Sequence, residues 1–284
     1  MKKVVITGAG GQLGKAFTKK LQSIGIECLP LTRKELDITD LHRLKELFLN
    51  FRPQYIINCA AYNEVDKAEE EKEKALLVNG IALRYIGNLA AQYQTTVIHY
   101  STDYVFNGEK EEPYLISDQP KPINHYGQTK LLGEKEILTH NPKTYVIRVS
   151  WVFGDGEQNF IYKLLNWASK NEKLRIVTDQ ISSPTYTEEI VKITLDLIKT
   201  EQYGLYHLSG EGQASRYDWA KFILYYLNWQ GELIPAASQD FPTRAKRPRY
   251  SKLRNFPLKN LLGYLPETWQ ESTEKYIRTI REKT

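Results

Sequence analysis

The first 150 residues repeat one pattern, in which a short apolar run precedes a longer stretch whose apolar positions recur every three or four residues. Short runs rich in β-branched side chains predict buried strands, and the longer period predicts amphipathic helices. The predicted strands cover residues 3–7, 27–32, 54–59, 96–100 and 145–149. Because strands that alternate with helices form parallel sheets, the pattern predicts an α/β fold with a doubly wound sheet.

The alternation loosens after about residue 154. Helices are predicted over 160–168, 188–199, 217–227 and 269–280, and strands over 174–178 and 205–208. This change predicts two domains, a larger one over 1–153 and a smaller α/β one over 154–284. Segments near 174–200 are expected to return to the first sheet.

The first predicted strand ends in a glycine-rich turn that opens a helix. The turn contains Gly8, Gly10, Gly11 and Gly14. Glycines let the backbone approach a pyrophosphate, and the helix N-terminus supplies N–H donors. At the first strand–helix junction, this turn predicts a Rossmann-type dinucleotide site rather than an ordinary tight turn.

The end of the second strand bears on the choice of dinucleotide. NAD-binding folds often place an acid there, on the ribose 2′-hydroxyl. This chain has Thr32, Arg33 and Lys34 instead. Arg33 is suited to the 2′-phosphate of NADPH, although a solvated basic turn explains the residues equally well, so NADH stays open.

Tyr126 and Lys130 are spaced to share one face of a helix. A phenol has a pKa of about 10, and a nearby ammonium lowers it, so the pair predicts a proton donor for carbonyl reduction. The spacing alone is weak, since the chain contains 19 tyrosines. The prediction of a catalytic pair is supported by polar or small residues that follow the other strands, because ligands bind at the carboxyl edge of such sheets.

Composition and charge argue against a membrane-spanning or nucleic-acid-binding function. The net charge is +5, no apolar stretch is long enough for a membrane span, and no recognition motif for nucleic acid accompanies the charge. Cys28 and Cys59 lie in apolar runs without metal-ligand spacing, which fits a reducing cytoplasm and predicts no metal site. Asn79 falls among the apolar positions of a predicted long helix. It is expected to be either a core amide or a polar support beneath the site.

The chain resembles the extended short-chain dehydrogenase/reductase family. The segment from Thr7 to Gly14 is similar to that family's T-G-x-x-G-x-x-G motif, Thr102 to its catalytic hydroxyl, and Tyr126 with Lys130 to its Y-x-x-x-K motif. The resemblance is closer to a branch that reduces a dTDP-linked 4-keto sugar. It extends over nearly the whole chain, in segments 36–40, 58–62, 65–69, 101–106, 150–152, 179–185, 204–208 and 247–251.

The resemblance implies reduction of the C4 ketone of dTDP-4-dehydro-6-deoxy-L-mannose by NADPH or NADH. Tyr126 would donate the proton, Lys130 would lower the pKa of Tyr126 and hold the nicotinamide ribose, and Thr102 would stabilise the developing alkoxide. Asp103 and Trp151 would contact the sugar, and Arg247 the diphosphate. The implied cofactor-binding residues are Gly8, Gly10, Gly11, Gln12, Leu13, Gly14, Arg33, Asp37, Ile38, Cys59, Ala60, Ala61, Tyr62, Tyr100, Tyr126 and Lys130.

Several alternatives stay open. A related 4,6-dehydratase would need a Glu where this chain has Tyr104, so reduction is favoured; another nucleotide-sugar reductase or epimerase, or a non-catalytic NADP-binding subunit, are the further possibilities. The chain departs from the family at Asn63, usually Thr, and at Ser182, usually Gly. If position 182 requires a positive φ, Ser there would cost about 1 kcal/mol. A monomer or homodimer is expected, and a need for Mg²⁺ is left open.

Overall fold

The computed structural model describes residues 2–282. Its strands are β1 (Val4–Thr7), β2 (Cys28–Leu31), β3 (Tyr55–Asn58), β4 (Thr96–Thr102), β5 (Thr144–Val149), β6 (Val152–Phe153), β7 (Lys173–Val177), β8 (Ile181–Ser182), β9 (Thr185–Tyr186), β10 (Gly204–His207), β11 (Ala214–Ser215) and β12 (Glu232–Ala236). Its α-helices are α1 (Gln12–Ser23), α2 (Leu41–Phe51), α3 (Lys72–Leu76), α4 (Ala82–Gln92), α5 (His125–His140), α6 (Phe160–Ala168), α7 (Thr187–Ile198), α8 (Arg216–Tyr226), α9 (Leu258–Leu262) and α10 (Trp269–Arg281).

The main sheet has six parallel strands in the order β10-β5-β4-β3-β1-β2. One face packs against α1 and α7, and the other against α2, α4 and α5. The predicted α/β fold with a doubly wound parallel sheet is confirmed. The five strands predicted before residue 154 are present, with ends displaced by no more than two residues.

The second half of the chain contributes to both parts of the molecule. Helix α7 packs on α1, and β10 joins the edge of the main sheet beside β5. Strand β7 instead pairs with β12 in a two-stranded sheet outside the main one. The sequence did not predict β12, whose run contains Pro235, a residue confined to edge strands because it lacks an N–H donor. The division near residue 153 stays a prediction.

The long helix that the sequence predicts to begin in the charged segment 66–74 is interrupted. A π-helical turn over Leu77–Ile81 separates α3 from α4 and carries Asn79. The Asn79 side chain exchanges hydrogen bonds with the backbone of Tyr62, at 2.8 and 3.0 Å, and donates to Thr129 Oγ1 at 3.2 Å. Asn79 is therefore a buried amide with its hydrogen bonds satisfied, and it joins the loop after β3 to helix α5.

The basic segment 244–254 is ordered between the two parts. Its backbone bonds to Ile181 on one side and to Tyr114 on the other, at 2.8–2.9 Å. Ala245, Ser251 and Leu253 within it are buried. None of the described helices is both long and apolar enough to cross a bilayer.

Candidate active site

The glycine turn is built by close backbone contacts. Gly8 has a φ of +66°, and a Cβ on it would lie 2.6 Å from the Ala60 nitrogen. A Cβ on Gly14 would lie 2.5 Å from the Gly8 carbonyl oxygen. At Gly10 the nearest atom would be 3.6 Å away, so the fold itself leaves room there. Gly8 and Gly14 are thus required by packing, whereas the described neighbours of Gly10 would accept a Cβ.

A cleft of about 710 Å³ opens at the carboxyl edge of the sheet, beside this turn. It brings together most of the residues predicted for the site. Those that line it are Gly11, Gln12, Leu13, Gly14, Cys59, Ala60, Ala61, Tyr100, Thr102, Asp103, Tyr126, Lys130, Trp151 and Arg247. Gly8, Gly10, Arg33, Asp37, Ile38 and Tyr62 are not among its lining residues.

One atom in the cleft is suited to a ligand. The Gln12 amide donates from Nε2 to the Val152 carbonyl at 3.1 Å. Its Oε1 is buried without a hydrogen-bond partner in the described structure. A buried acceptor left unpaired costs free energy, and a donor on a bound ligand would satisfy it.

The Tyr126 hydroxyl lies next to Thr102. Helix α5 begins where Asn124 Oδ1 accepts from the Gly127 N–H at 2.8 Å, which places Tyr126 in the first turn. Burial raises the pKa of Tyr126 above its ordinary value, and a hydrogen bond with Thr102 opposes that rise. The predicted lowering of this pKa by Lys130 is therefore wrong at this geometry. A phenol with a raised pKa is still a competent acid, because an alkoxide is more basic than a phenolate.

Lys130 is fully buried, and its Nζ is bonded to the backbone of β4. Its Nζ donates to the Tyr100 carbonyl at 2.6 Å and lies 3.4 Å from His99 Nε2. Burial lowers the pKa of Lys130 to about 8. Glu134, one turn later on α5, is bound instead to Arg148 at 2.7 Å. Lys130 thus lies in the cleft, where burial makes its ammonium group easier to deprotonate than that of an exposed lysine.

Asp103 joins the two parts of the chain at the cleft. It is 2% exposed; its Oδ2 accepts from Ser251 Oγ at 2.5 Å, and its Oδ1 accepts from Thr102 Oγ1 at 3.1 Å. Burial raises the pKa of Asp103 to about 6, against these hydrogen bonds. Ser182 Oγ also points at Oδ2, 3.4 Å away. Ser182 lies in β8 and is absent from the described residues with a positive φ, so the expected strain there does not arise.

Trp151 presents an indole face that the second half of the chain supports. Its backbone has a φ of +41°, an unfavourable conformation for a large side chain and one that recurs at functional sites. The Arg216 guanidinium lies 3.6 Å from the Trp151 ring centroid, and Trp219 stacks on Trp151 at 6.0 Å. Sequence reasoning missed Arg216, because only folding brings the start of α8 against the end of β5.

Two predicted ligand-binding arginines are paired with acids. Arg247 donates to both carboxylate oxygens of Asp66, at 2.6 and 3.2 Å. Arg33 Nε lies 3.1 Å from Asp37 Oδ2 at the exposed end of β2. Arg247 also lines a second cavity of about 1030 Å³, with Lys246 among its neighbours there. Both pairs leave guanidinium N–H groups for phosphate oxygens, since a guanidinium has five.

Comparison with known proteins places this geometry in a family. The family model described as RmlD substrate binding domain matches residues 1–282. A dTDP-4-dehydrorhamnose reductase of Aggregatibacter actinomycetemcomitans is 37% identical over 295 residues, which cover 99% of this chain and 100% of that protein.

Solved structures agree. A dTDP-4-dehydrorhamnose reductase from Clostridium acetobutylicum is 36% identical with a TM-score of 0.95, over 99% of this chain and 100% of that one. The Bacillus anthracis enzyme of the same name, in complex with NADP, is 35% identical with a TM-score of 0.94, over 98% and 100% of the two chains. The chain belongs to the RmlD substrate binding domain family.

Proposed function

We propose that this protein reduces the C4 ketone of dTDP-4-dehydro-6-deoxy-L-mannose to give dTDP-L-rhamnose, the last step of dTDP-rhamnose biosynthesis. The observation that carries the proposal is one cleft that holds Tyr126, Thr102 and Lys130 beside the glycine turn. Full-length similarity to several dTDP-4-dehydrorhamnose reductases supports the same reaction.

The residues of the cleft have separate roles in the reaction. A bound reduced nicotinamide supplies the hydride that goes to C4. Tyr126 gives its proton to the ketone oxygen, and its raised pKa keeps the phenol protonated until that oxygen becomes strongly basic. Thr102, hydrogen-bonded to Tyr126, would turn its hydroxyl hydrogen from Asp103 to the developing alkoxide. Tyr104 stands edge-on to Tyr126 at 5.9 Å and offers no carboxyl group for dehydration.

The cofactor fits the first half of the chain. The N–H groups at the start of α1 and the glycine turn would take the pyrophosphate, and Gln12 Oε1 would accept a hydrogen bond. Arg33 at the end of β2 favours NADPH over NADH, because its guanidinium is suited to the 2′-phosphate. A relative that is solved with NADP supports this choice.

The substrate fits between the two parts. Trp151 would cover the apolar face of the 6-deoxy sugar, and Asp103 its hydroxyl groups. Arg247, shared by the cleft and the neighbouring basic cavity, would hold the diphosphate. In this arrangement the cofactor residues lie within 1–153, and both parts of the chain contribute to the substrate site.

The test measures oxidation of the cofactor in the presence of the dTDP-sugar. Purified protein, NADPH or NADH, and dTDP-4-dehydro-6-deoxy-L-mannose are mixed, and loss of absorbance at the nicotinamide band is followed across pH. Oxidation of the cofactor with formation of dTDP-L-rhamnose is expected, with NADPH the faster donor. The absence of turnover with either cofactor at every pH would remove the proposal and favour a non-catalytic role.

Tyr126→Phe separates catalysis from binding. Loss of the hydroxyl should reduce kcat by about 10²-fold or more and leave NADPH affinity nearly unchanged. Tyr104→Phe is the matched control, because it removes a neighbouring phenol that has no role in the proposed proton transfer. Wild-type turnover by Tyr126→Phe would exclude Tyr126 as the proton donor.

A further inference from the structure

A row of buried polar side chains crosses the main sheet and ends at Lys130. Thr7, Asn58 and His99 lie at one level of three neighbouring strands, as register partners on β1, β3 and β4. Each is no more than 1% exposed. Apolar residues normally fill the middle of a parallel sheet, and three polar side chains there are stable only if they are hydrogen-bonded to one another.

The distances along this row assign its donors and acceptors. Thr7 Oγ1 lies 2.5 Å from Asn58 Oδ1, a length typical of O–H···O bonds and shorter than the roughly 2.7 Å minimum of N–H···O bonds. The Asn58 oxygen therefore faces Thr7, and the Asn58 amide nitrogen faces His99 Nδ1 at 2.9 Å. Since an amide nitrogen only donates, Nδ1 must accept.

This assignment decides which nitrogen of His99 carries hydrogen. Burial and then the charge of Lys130 hold the pKa of His99 well below its ordinary value, so the ring is neutral. A neutral ring that accepts at Nδ1 carries its hydrogen on Nε2. That N–H faces Lys130 Nζ across 3.4 Å, longer than a good hydrogen bond, while Nζ donates at 2.6 Å to the Tyr100 carbonyl.

We propose that the Thr7 hydroxyl, acting through Asn58, fixes His99 in the Nε2–H tautomer, and that this N–H makes His99 a positioning residue that turns Lys130 towards the Tyr100 carbonyl. An N–H aimed at Nζ opposes the ammonium form of Lys130. This N–H acts in the same direction as burial, which lowers the pKa of Lys130 to about 8.

Other groups face Lys130 and act on it as well. Cys59 follows β3, and Glu134 and Tyr126 belong to α5. Burial lowers the pKa of Lys130, and Glu134 partly restores it. Glu134 is itself held by Arg148 and Ser101, and burial raises the pKa of Cys59, which keeps it a neutral thiol. His99 is thus the neighbour of Lys130 whose hydrogen-bearing nitrogen is set by the Thr7 hydroxyl, two strands away in the sheet.

The test reads the tautomer directly. Imidazole nitrogen chemical shifts of histidine-labelled protein distinguish a protonated nitrogen from a bare one, and a His99→Gln spectrum identifies the His99 signals. We expect hydrogen on Nε2 and none on Nδ1 between pH 6 and 8. Hydrogen on Nδ1 in the wild-type protein would overturn the proposal.

Two substitutions of Thr7 isolate the hydroxyl. Thr7→Val has the same shape without the donor, so Asn58 can turn its oxygen to His99 and the hydrogen should move to Nδ1. Thr7→Ser keeps the hydroxyl and should keep the wild-type tautomer. An unchanged tautomer in Thr7→Val would refute control by Thr7.

Lys130→Met gives a further decision, and it serves if Thr7→Val does not fold. The tautomer should stay at Nε2–H in this variant, because Thr7 and Asn58 set it. A switch to Nδ1–H would mean that Lys130 sets the tautomer, which contradicts the proposal.

A kinetic measurement, which rests on the proposed function, completes the test. The basic limb of the kcat profile should rise by about one pH unit in Thr7→Val and stay in place in Thr7→Ser. A purely structural defect would lower kcat without moving that limb. If the wild-type protein has no reductase activity, the proposed function fails, and the nitrogen spectra still decide the tautomer.

Discussion

Asp103→Asn should stabilise the protein at neutral pH while it damages the site. The Asp103 carboxyl is buried, and its pKa is raised from 3.8 to about 6. Two pH units correspond to about 3 kcal/mol of cost for the ionised form in the folded state. Asparagine removes that charge but weakens the hydrogen bonds from Ser251 and Thr102, which are worth about 1 kcal/mol each. A net gain of about 1–2 kcal/mol is expected at pH 7.

The sign of the pH dependence is the stronger part of this prediction. A carboxyl whose pKa is raised in the folded state binds a proton more tightly there than in the unfolded chain. Its cost is therefore complete above about pH 6, falls as the pH decreases, and is absent below about pH 4. The advantage of Asp103→Asn should disappear over the same range.

Thermal or urea unfolding of both proteins from pH 4 to pH 8 measures the effect. At neutral pH the midpoint temperature of the variant should rise by roughly 2–6 °C. Asp66→Asn is the matched control: it breaks the ion pair with Arg247 and should lower stability at neutral pH. A stability difference for Asp103→Asn that stays constant across this range would refute the conclusion that the buried Asp103 carboxylate destabilises the folded protein when it is ionised.

Three further predictions follow from single contacts. Gly14→Ala should destabilise the protein by about 2 kcal/mol or more, since the new Cβ would meet backbone at 2.5 Å. Gly10→Ala should unfold like the wild type but bind NADPH at least tenfold more weakly by titration. Equal stability of the two variants would contradict the packing argument. Arg33→Ala should lower the kcat/KM ratio of NADPH to NADH about tenfold, and an unchanged ratio would exclude Arg33. Arg216→Met should raise KM for the dTDP-sugar severalfold with kcat nearly kept, because the guanidinium supports Trp151; an unchanged KM would limit Arg216 to packing.

The fold was predictable because its signals are local. Strand runs, helical periods and the glycine turn each occupy fewer than twenty neighbouring residues, and five repeats leave little choice of architecture. The pairing of Tyr126 with Lys130 and the nearness of Thr102 were also predictable, because helix spacing and the common sheet edge place them. Strand β12 was missed because Pro235 weakens its local signal.

The electrostatics of the site were not predictable, because they depend on contacts between residues far apart in the chain. Lys130 was expected to lower the pKa of Tyr126, yet its Nζ donates to a carbonyl on β4, and burial of the phenol raises that pKa. Sequence spacing shows that two side chains share a face. It does not show where their polar ends point or how much water reaches them.

The sequence by itself determined the architecture, the dinucleotide turn and the set of residues at the sheet edge, since each depends on near neighbours and on backbone geometry. Only the tertiary structure decided that Ser251 holds Asp103, that Asp66 pairs with Arg247 and that Arg216 lies on Trp151. Asp103 and Ser251 are 148 positions apart, and Asp66 and Arg247 181. The physical reason is that hydrogen bonds and ion pairs act over a few ångströms, so their partners are known only once the chain has folded.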